Sequence, residues 1–478
     1  MADIQKTNNK TKKLSSRAAF LNGGQMSEPI AAIATGSAVS AIGIVRISGD
    51  RAIQAAESLF TPFSGGKLGD REDRKLIYGR LTGHSGKLLD LCLCTISHGP
   101  ASYTGEDTAE FQCHGSPTVL RAVLEELFAL GVRQAKPGEF TKRAFLNGRL
   151  ELTEAEAVAD LIDAETIEAA ENAAGQLSGA IGKKSDSIYS ALADICAHYH
   201  AVLDYPDEDI EPFVLQNYKN TLESAENSLA SLQKTYARGK LMNSGIPTAI
   251  IGRPNAGKSS LLNALLGYDR AIVTAIPGTT RDTIEEKIRI GQVLLRLIDT
   301  AGIRETSDQA EKLGVERSFA AISNASLVLA VVDGASAFTE EDAAILRLAE
   351  QAPKAIAVVS KQDLPGFSSE FVKTVLPVVE ISTETGEGLE KLEGIIQQFF
   401  PLPSVPAGEI LTNARQAEAV SLALDYIRAA LNALDMGETP DIVLTEAEGA
   451  MQAIGELSGR TVREDVTERI FARFCVGK

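Results

Sequence analysis

Gly252-Arg253-Pro254-Asn255-Ala256-Gly257-Lys258-Ser259-Ser260 fills the pattern G-x-x-x-x-G-K-[ST] without a mismatch. Residues 247–251 in front of it form a short apolar run that reads as a buried strand, and residues 261–266 behind it read as a helix. Strand, glycine-rich turn and helix start are the context in which this pattern cradles phosphate. The glycines let backbone N–H groups close around phosphate oxygens, and the helix N-terminus adds a favourable dipole potential. Lys258 is expected to reach the β/γ-phosphates, and the Ser259 hydroxyl to ligate Mg²⁺.

Working outward, residues 276–282 (Ile-Pro-Gly-Thr-Thr-Arg-Asp) form a polar loop between apolar segments. Thr280 is the residue there expected to complete the Mg²⁺ shell beside a γ-phosphate. Two strands, 285–290 and 293–298, lead to Asp299-Thr300-Ala301-Gly302, a D-x-x-G at a strand end. Asp299 is expected near Mg²⁺, and the Gly302 N–H near the γ-phosphate. A buried strand at 355–359 delivers Ser360-Lys361-Gln362-Asp363, similar to the guanine-reading N-K-x-D with serine in the asparagine place. Asp363 can accept from guanine N1–H and the exocyclic amine, a donor pair that adenine lacks. Serine is expected to lose an amide contact to the base and the phosphate loop. Ile381-Ser382-Thr383 suits the loop that closes over the base. Together these residues predict GTP rather than ATP.

After Gly302 stands Ile303, which cannot orient water as a glutamine would. Asn255 offers one replacement, since its side-chain oxygen can help hold a monovalent cation against the β/γ-phosphates. Glu311 reads either as a residue that positions water or as a solvated glutamate.

With 478 residues the chain has room for about three domains. Its 44% apolar and 23% charged content is that of a globular protein. No apolar run approaches the roughly 20 residues that span a bilayer. Residues 1–25 are polar and lysine-bearing and lack the apolar stretch of a signal peptide. The five cysteines are odd in number and lack zinc-ribbon spacing; Cys92 and Cys94 alternate along an apparent strand, which reads as packing rather than metal binding. A cytoplasmic, reducing location is expected, with no membrane partner. The net charge of −17 opposes indiscriminate nucleic-acid binding over the whole surface, but not a local basic patch.

Before the phosphate loop, residues 29–113 are β-rich, with strands expected at 41–48, 74–81, 87–96 and 108–112, and a helix at 116–130. Arg46, inside an apolar strand, reads either as an edge-strand arginine or as an anion-binding one. Residues 152–203 are rich in alanine and glutamate, contain no proline, and predict long helices, as do 215–242, 413–434, 445–457 and 462–474. The acidic loop after residue 203 reads as a solvated turn. The simplest architecture packs the helices before and after the phosphate-loop domain together, with that domain inserted between them. The expected boundaries are a disordered extension at 1–26, an N-terminal domain at 27–147, a first helical part at 148–243, the inserted domain at 244–406 and a second helical part at 407–478.

Read with the flanks, these residues resemble the MnmE (TrmE) family of tRNA-modification GTPases over nearly the whole chain, from about residue 29 to 478. The motifs that carry the resemblance are Gly43-Ile44-Val45-Arg46-Ile47-Ser48-Gly49, Tyr103-Thr104-Gly105-Glu106-Asp107 and Pro137-Gly138-Glu139-Phe140 running into Ala144-Phe145-Leu146-Asn147. The phosphate loop, Gly278-Thr279-Thr280-Arg281-Asp282 and the terminal Phe474-Cys475-Val476-Gly477-Lys478 complete the set. The resemblance implies a multidomain α/β and α protein. It would have an N-terminal α+β domain for folate binding and dimerisation, an all-α helical domain, and an inserted Ras-like GTPase domain with a mostly parallel sheet. It further implies a homodimer that binds a formyl-tetrahydrofolate-type cofactor. With an FAD- and NADH-using MnmG partner, in a heterotetramer or larger complex, that homodimer would modify carbon 5 of the wobble uridine in certain tRNAs. Arg46, Glu110, Arg149 and Lys478 match the folate positions. Asn255, Thr274, Ile276 and Thr279 match K⁺ ligands, Ser259 and Thr280 the Mg²⁺ positions, and Glu311 the catalytic glutamate, with Asn255 and Lys258 assisting. The nucleotide contacts implied are Asn255, Ala256, Gly257, Lys258, Ser259 and Ser260; Thr274, Ala275, Ile276, Pro277, Gly278, Thr279 and Thr280; Asp299, Thr300, Ala301 and Gly302; Ser360, Lys361, Gln362 and Asp363; and Ser382 and Thr383. Arg149 departs from the lysine common at its place, and Ser360 from the asparagine. Cys475 reads as a structural or site-lining residue rather than a nucleophile. Two competing functions are a ribosome-assembly GTPase and a folate-dependent one-carbon transferase with a regulatory GTPase domain.

Overall fold

The structure is a computed structural model that describes residues 27–204, 215–268, 286–298, 322–401, 405–461, 464–472 and 474–478. Its contacts divide the chain into two compact units, residues 1–159 with 454–478, and residues 160–453.

The first unit is built on a sheet of strands β1 (Ile30–Ile33), β2 (Ile42–Ser48), β3 (Phe60–Pro62), β4 (Ile77–Thr82), β5 (Leu88–Ser97), β6 (Thr108–His114) and β7 (Arg133–Gln134). Their order is β3-β4-β5-β6-β2-β1-β7, antiparallel except where β7 joins β1. Apolar residues alternate with polar ones along β6, where Ala109, Phe111 and Cys113 are buried and the residues between them are not. The buried face packs against α1 (Ala52–Leu59) and α2 (Pro117–Ala129), two helices that the sheet connects in sequence. Helix α1 was not expected from the sequence. The left-handed turns at Gly138 and Gly148 (φ 67° and 69°) bracket α3 (Glu139–Leu146).

Phe145, Leu152, Ala155, Phe471 and Phe474 form one cluster, so helix α13 (Glu464–Phe471) and the chain end belong with the N-terminal sheet. Each buried Phe or Leu of this cluster contributes about 1.5–3 kcal/mol. Gly138 allows this packing, because a Cβ there would lie 2.5 Å from the Phe471 carbonyl oxygen. This cluster puts Phe471 and Phe474 in the same compact unit as the N-terminal sheet.

The second unit begins with helical segments. The alanine-rich region is three helices rather than fewer, longer ones: α4 (Leu152–Ile162), which starts in the first unit, α5 (Ile167–Leu177) and α6 (Ala180–Asp204). Thr166 caps α5 by accepting from the Ala169 N–H, and Gly179, at φ 83°, ends it. Helix α7 (Leu215–Ser244) then runs into a six-stranded sheet ordered β13-β12-β11-β8-β10-β9. Strands β8 (Ile246–Gly252), β10 (Val293–Leu297), β11 (Leu327–Asp333), β12 (Ala355–Ser360) and β13 (Val378–Glu380) are parallel, and only β9 (Glu286–Ile290) opposes its neighbour. Helices α8 (Lys258–Tyr268) and α10 (Leu389–Phe399) bury one face, and α9 (Glu340–Ala349) covers the other. The return helices α11 (Ala414–Met436) and α12 (Pro440–Ser458) follow, the latter opening five residues earlier than expected because Pro440 is favourable at a helix start.

Helix α7, entering the sheet, lies beside α11, leaving it. Gln233 Nε2 donates to Ser421 Oγ at 3.1 Å, and Arg428 pairs with Glu226 at 2.8 Å. Asn172 and Gln176 of α5 donate to the Ile410 carbonyl at 3.1 and 2.6 Å, and so tie down the segment that leads into α11. None of the described helices is long and apolar enough to cross a membrane.

Candidate functional site

The phosphate loop leaves β8 at Gly252 and enters α8 at Lys258. Two residues hold left-handed backbone, Asn255 at φ 62° and Gly257 at φ 95°. Asparagine tolerates that region better than most side chains, and glycine is free in it. Lys258 Nζ donates to the carbonyls of Gly252 and Arg253 at 2.8 and 2.6 Å, so its stem curls over the loop. Burial lowers its pKa, so an anion placed against it would meet a poorly hydrated and therefore strong cation. Asn255, Ser259 and Ser260 are exposed at the loop's mouth.

Two side chains outside the motif, Asp342 and Ser360, hold the loop in place. Arg253 Nε donates to Asp342 Oδ1 at 2.6 Å, and Asp342 is fully buried while capping α9 with Thr339. Ser360 Oγ lies 2.7 Å from the Ala256 carbonyl and 3.2 Å from that of Val332. Beside the amide contact that serine was expected to lose, its hydroxyl keeps a direct bond to the phosphate loop. Gly257 is needed beside it, since a Cβ there would stand 3.1 Å from that oxygen.

The two loops expected to face the base meet one another. Asp363 Oδ1 accepts from Ser382 Oγ at 2.6 Å, and the Gln362 N–H donates to the Ile381 carbonyl at 3.0 Å. Ser382 Oγ also accepts from the Thr385 N–H at 3.1 Å, which folds the loop carrying Thr383 back on itself. Lys361, at φ 66°, pairs through Nζ with Asp333 at 2.6 Å. Burial pushes the Asp333 carboxyl up, but bonds from Lys361, Ser336 and the Ala335 N–H hold it below its ordinary value. Asp333 and Asp342 escaped notice in the sequence, because neither β11 nor α9 carries a motif. The apolar run 327–332 of β11, which ends on Asp333, was the available signal. Thr274, Ala275, Ile276, Pro277, Gly278, Thr279, Thr280, Asp299, Thr300, Ala301, Gly302 and Glu311 lie outside the described residues.

A second constellation forms in the first unit, on the face of its sheet away from α1 and α2. Arg46 of β2 stands directly opposite Glu110 of β6, and Arg46 Nε donates to Glu110 Oε1 at 2.7 Å. Its terminal N–H groups make no hydrogen bond among the described residues. The guanidinium lies 5.5 Å from the centre of the Tyr103 ring and 5.7 Å from that of Phe140. Tyr103 is fixed by a 2.9 Å bond to Thr141, and burial raises its pKa. The chain end reaches this place through its backbone: the Phe140 N–H donates to the Lys478 carbonyl at 3.2 Å and the Gly138 N–H to that of Cys475 at 3.3 Å. Gly477, at φ 104°, fits so tightly against β1 that a Cβ would lie 2.3 Å from the Ile33 carbonyl oxygen. Arg149 lays its stem along Gly105, whose Cβ would stand 3.3 Å from Arg149 Cγ. The four residues taken from the resemblance thus fall on the elements around one cation–carboxylate pair flanked by two aromatic rings.

Residues 29–149 match the family described as the GTP-binding protein TrmE N-terminus, and residues 152–475 match the MnmE helical domain. The tRNA modification GTPase MnmE of Symbiobacterium thermophilum is 41% identical over 94% of this chain and 99% of its own. The chain belongs to the MnmE family. Another relative of the same name, from Clostridioides difficile strain 630, is 40% identical over the same shares. Among solved structures, an Era variant from Aquifex aeolicus overlaps 37% of this chain and 65% of its own at 26% identity, with a TM-score of 0.25.

Proposed function

We propose that the chain is a K⁺-activated GTPase. With an FAD- and NADH-using partner of the MnmG type, it takes part in adding a (carboxymethyl)aminomethyl group to C5 of the wobble uridine of certain tRNAs. The one-carbon unit for this would come from a formyl-tetrahydrofolate-type cofactor. The observation that carries this reading is the Arg46–Glu110 pair between Tyr103 and Phe140, in a family named for tRNA modification. A GTPase that only switched would have no use for it.

The residues present fit such a cofactor. The terminal N–H groups of Arg46, with Arg149 and Lys478, offer charge to carboxylates, and Glu110 offers an acceptor to the ring's N–H groups. Folate, when bound, supplies the one-carbon unit. Tyr103 and Phe140 flank the Arg46 guanidinium and would hold it toward such a ligand, and Thr141 holds the Tyr103 ring at its angle.

In the nucleotide site, Lys258 takes the β/γ-phosphates, and the Ser259 and Thr280 hydroxyls suit a hard cation such as Mg²⁺. Asn255, with Thr274, Ile276 and Thr279, offers oxygen ligands for K⁺, and Glu311 orients water. Asp363 selects guanine, with Lys361 along the base and Ser382 fixing the carboxylate. The exposed side chains of Ile42, Tyr78 and Leu91 on the open sheet face suit pairing of two N-terminal domains.

Two measurements test the reading. Nucleosides of tRNA from cells lacking the chain should lose the modified wobble uridine; if it persists while ribosomal subunits accumulate unjoined, the chain is a ribosome-assembly factor. GTP turnover of the purified chain should be faster in K⁺ than in Na⁺, and Asn255→Ala should abolish that difference; equal rates in wild type would refute K⁺ activation.

A further inference from the structure

The cysteines of the N-terminal sheet are arranged in a way that sequence spacing does not show. Cys92 and Cys94 are two apart on β5 and face the same core, but the close partner of Cys92 is Cys113. The register of β5 on β6 sets Leu93 opposite Gln112, which puts Cys92 opposite Cys113 on neighbouring strands. Asp90, two residues before Cys92, completes a group whose sulfur and oxygen atoms all lie within 4.8 Å of one another. Both cysteines are buried, and the Asp90 side chain is only 9% exposed.

We infer that Asp90, Cys92 and Cys113 form a binding site for a thiophilic divalent cation of the zinc class. Two thiolate sulfurs and one carboxylate oxygen are a donor set that zinc accepts. At zinc–sulfur and zinc–oxygen bonds of about 2.3 and 2.1 Å, the ligand atoms stand some 3.5–4 Å apart, within the spread found here. Three protein ligands leave a fourth position, which falls to water on the Asp90 side.

The surroundings match that use. His114 stands behind the carboxylate, with Nδ1 2.8 Å from Asp90 Oδ1 and its backbone N–H donating to Oδ2 at 2.8 Å. The Leu91 N–H donates to Oδ1 at 2.8 Å as well, so the carboxylate is held from three directions. A bonded, pre-oriented carboxylate is what an outer shell provides to a metal ligand.

Glycines flank the pair on either side, Gly79 opposite Cys92 on β4 and Gly43 opposite Cys113 on β2. No side chain therefore rises between the sulfurs and the neighbouring strands. Phe60 and Leu120 close the flanks instead, each with a carbon 2.4 Å from where a Cβ would sit on Gly79 and Gly43. An apolar wall of this kind keeps bulk water from the sulfurs.

The test uses the full chain, fully reduced, with Zn²⁺ in competition against a chromophoric chelator and with Co²⁺ as a spectroscopic probe. One zinc per chain should be retained, and the wild-type Co²⁺ form should show thiolate-to-metal charge transfer. Asp90→Asn and Cys113→Ser should each weaken zinc about tenfold or more, and His114→Ala about tenfold; Cys475→Ser should leave affinity unchanged. The wild-type Co²⁺ spectrum decides the matter even where a core variant folds poorly. The inference is overturned if the reduced wild-type chain holds no zinc, if Cys475→Ser abolishes what it holds, or if the Co²⁺ form lacks the charge-transfer band. A chain that loses two hydrogens on mild oxidation by joining Cys92 to Cys113, and binds no zinc when reduced, would mark the pair as a redox couple instead.

Discussion

The two candidate sites are framed by different forces. Around the nucleotide loop, much of the frame is main chain and hydroxyl: Lys258 on two carbonyls, Ser360 on a third, and Ser382 on Asp363. Around Arg46 the frame is ionic. Arg143 reaches Glu106 and Glu139 at 3.0 Å each, Arg133 reaches Glu139 at 2.6 Å, and Ser48 ties Glu106 to the sheet at 2.8 Å. A phosphate loop must keep its N–H groups for the ligand, so its scaffold bonds largely through carbonyls and hydroxyls, with the ion pairs Arg253–Asp342 and Lys361–Asp333 beside them. A site for a carboxylate-bearing ligand can use fixed charges, and these expose it to acid. The N-terminal site should therefore fail first as pH falls.

Glu139 gives the largest expected effect. Burial pushes its carboxyl up, but bonds from Arg133, the Lys136 N–H and Arg143 bring it from an ordinary 4.5 down to about 2. Between those values the unfolded chain binds the proton and the folded one does not. The stabilisation is thus complete above pH 4.5 and is lost as pH falls toward 2. It amounts to about 3 kcal/mol. Glu139→Gln should narrow its stability gap from wild type across that window, read by hydrogen exchange of the β2 and β6 amides against pH. A gap that stays constant from pH 7 to 3 would remove Glu139 from the frame.

Next comes Glu311, the residue proposed to orient water. Glu311→Ala should slow GTP turnover on the order of 10²-fold, about 2.7 kcal/mol, with GTP affinity unchanged. Wild-type turnover in that variant would make Glu311 a solvated residue.

The same contrast explains what the sequence disclosed. The candidate nucleotide site is read from contiguous motifs, each a loop after a strand, so spacing pointed to Lys258, Ser259 and Asp363, while the K⁺ positions Thr274, Ile276 and Thr279 came only from the resemblance. The Arg46–Glu110 pair spans 64 positions and exists only through the β2–β6 register, so only family resemblance pointed to it. Asp342 holds the phosphate loop from a helix with no motif at all, and Cys113 meets Cys92 across a ladder. Helical periodicity in 152–203 was legible, but its breaks at Thr166 and Gly179 were not, because alanine-rich sequence favours helix on both sides of them.

Smaller still should be the effect of removing residues 476–478. This deletes the acceptor for the Phe140 N–H and the Gly477 backbone packed on Ile33. Folate affinity, measured by calorimetry, should fall about tenfold while GTP turnover holds, since the loss of one bond and one charge costs about 1.5 kcal/mol. Unchanged folate affinity would show that the chain end only packs.

The smallest effect belongs to Ser360, where the nucleotide frame rests on one hydroxyl. The side chain is 1% exposed and bonds the Ala256 carbonyl. Ser360→Ala leaves that carbonyl without its donor, at a cost of about 1 kcal/mol, so GTP should bind about fivefold more weakly. The ratio of GTP to ATP affinity should not move, because the Asp363–Ser382 bond that fixes the base-reading carboxylate does not pass through Ser360. Titrating both nucleotides against the variant separates the two jobs. A weakening shared by GTP and ATP means that the hydroxyl steadies the phosphate loop. A loss confined to GTP would mean that it touches the base, and that the serine has kept the asparagine's reading role as well as its tether.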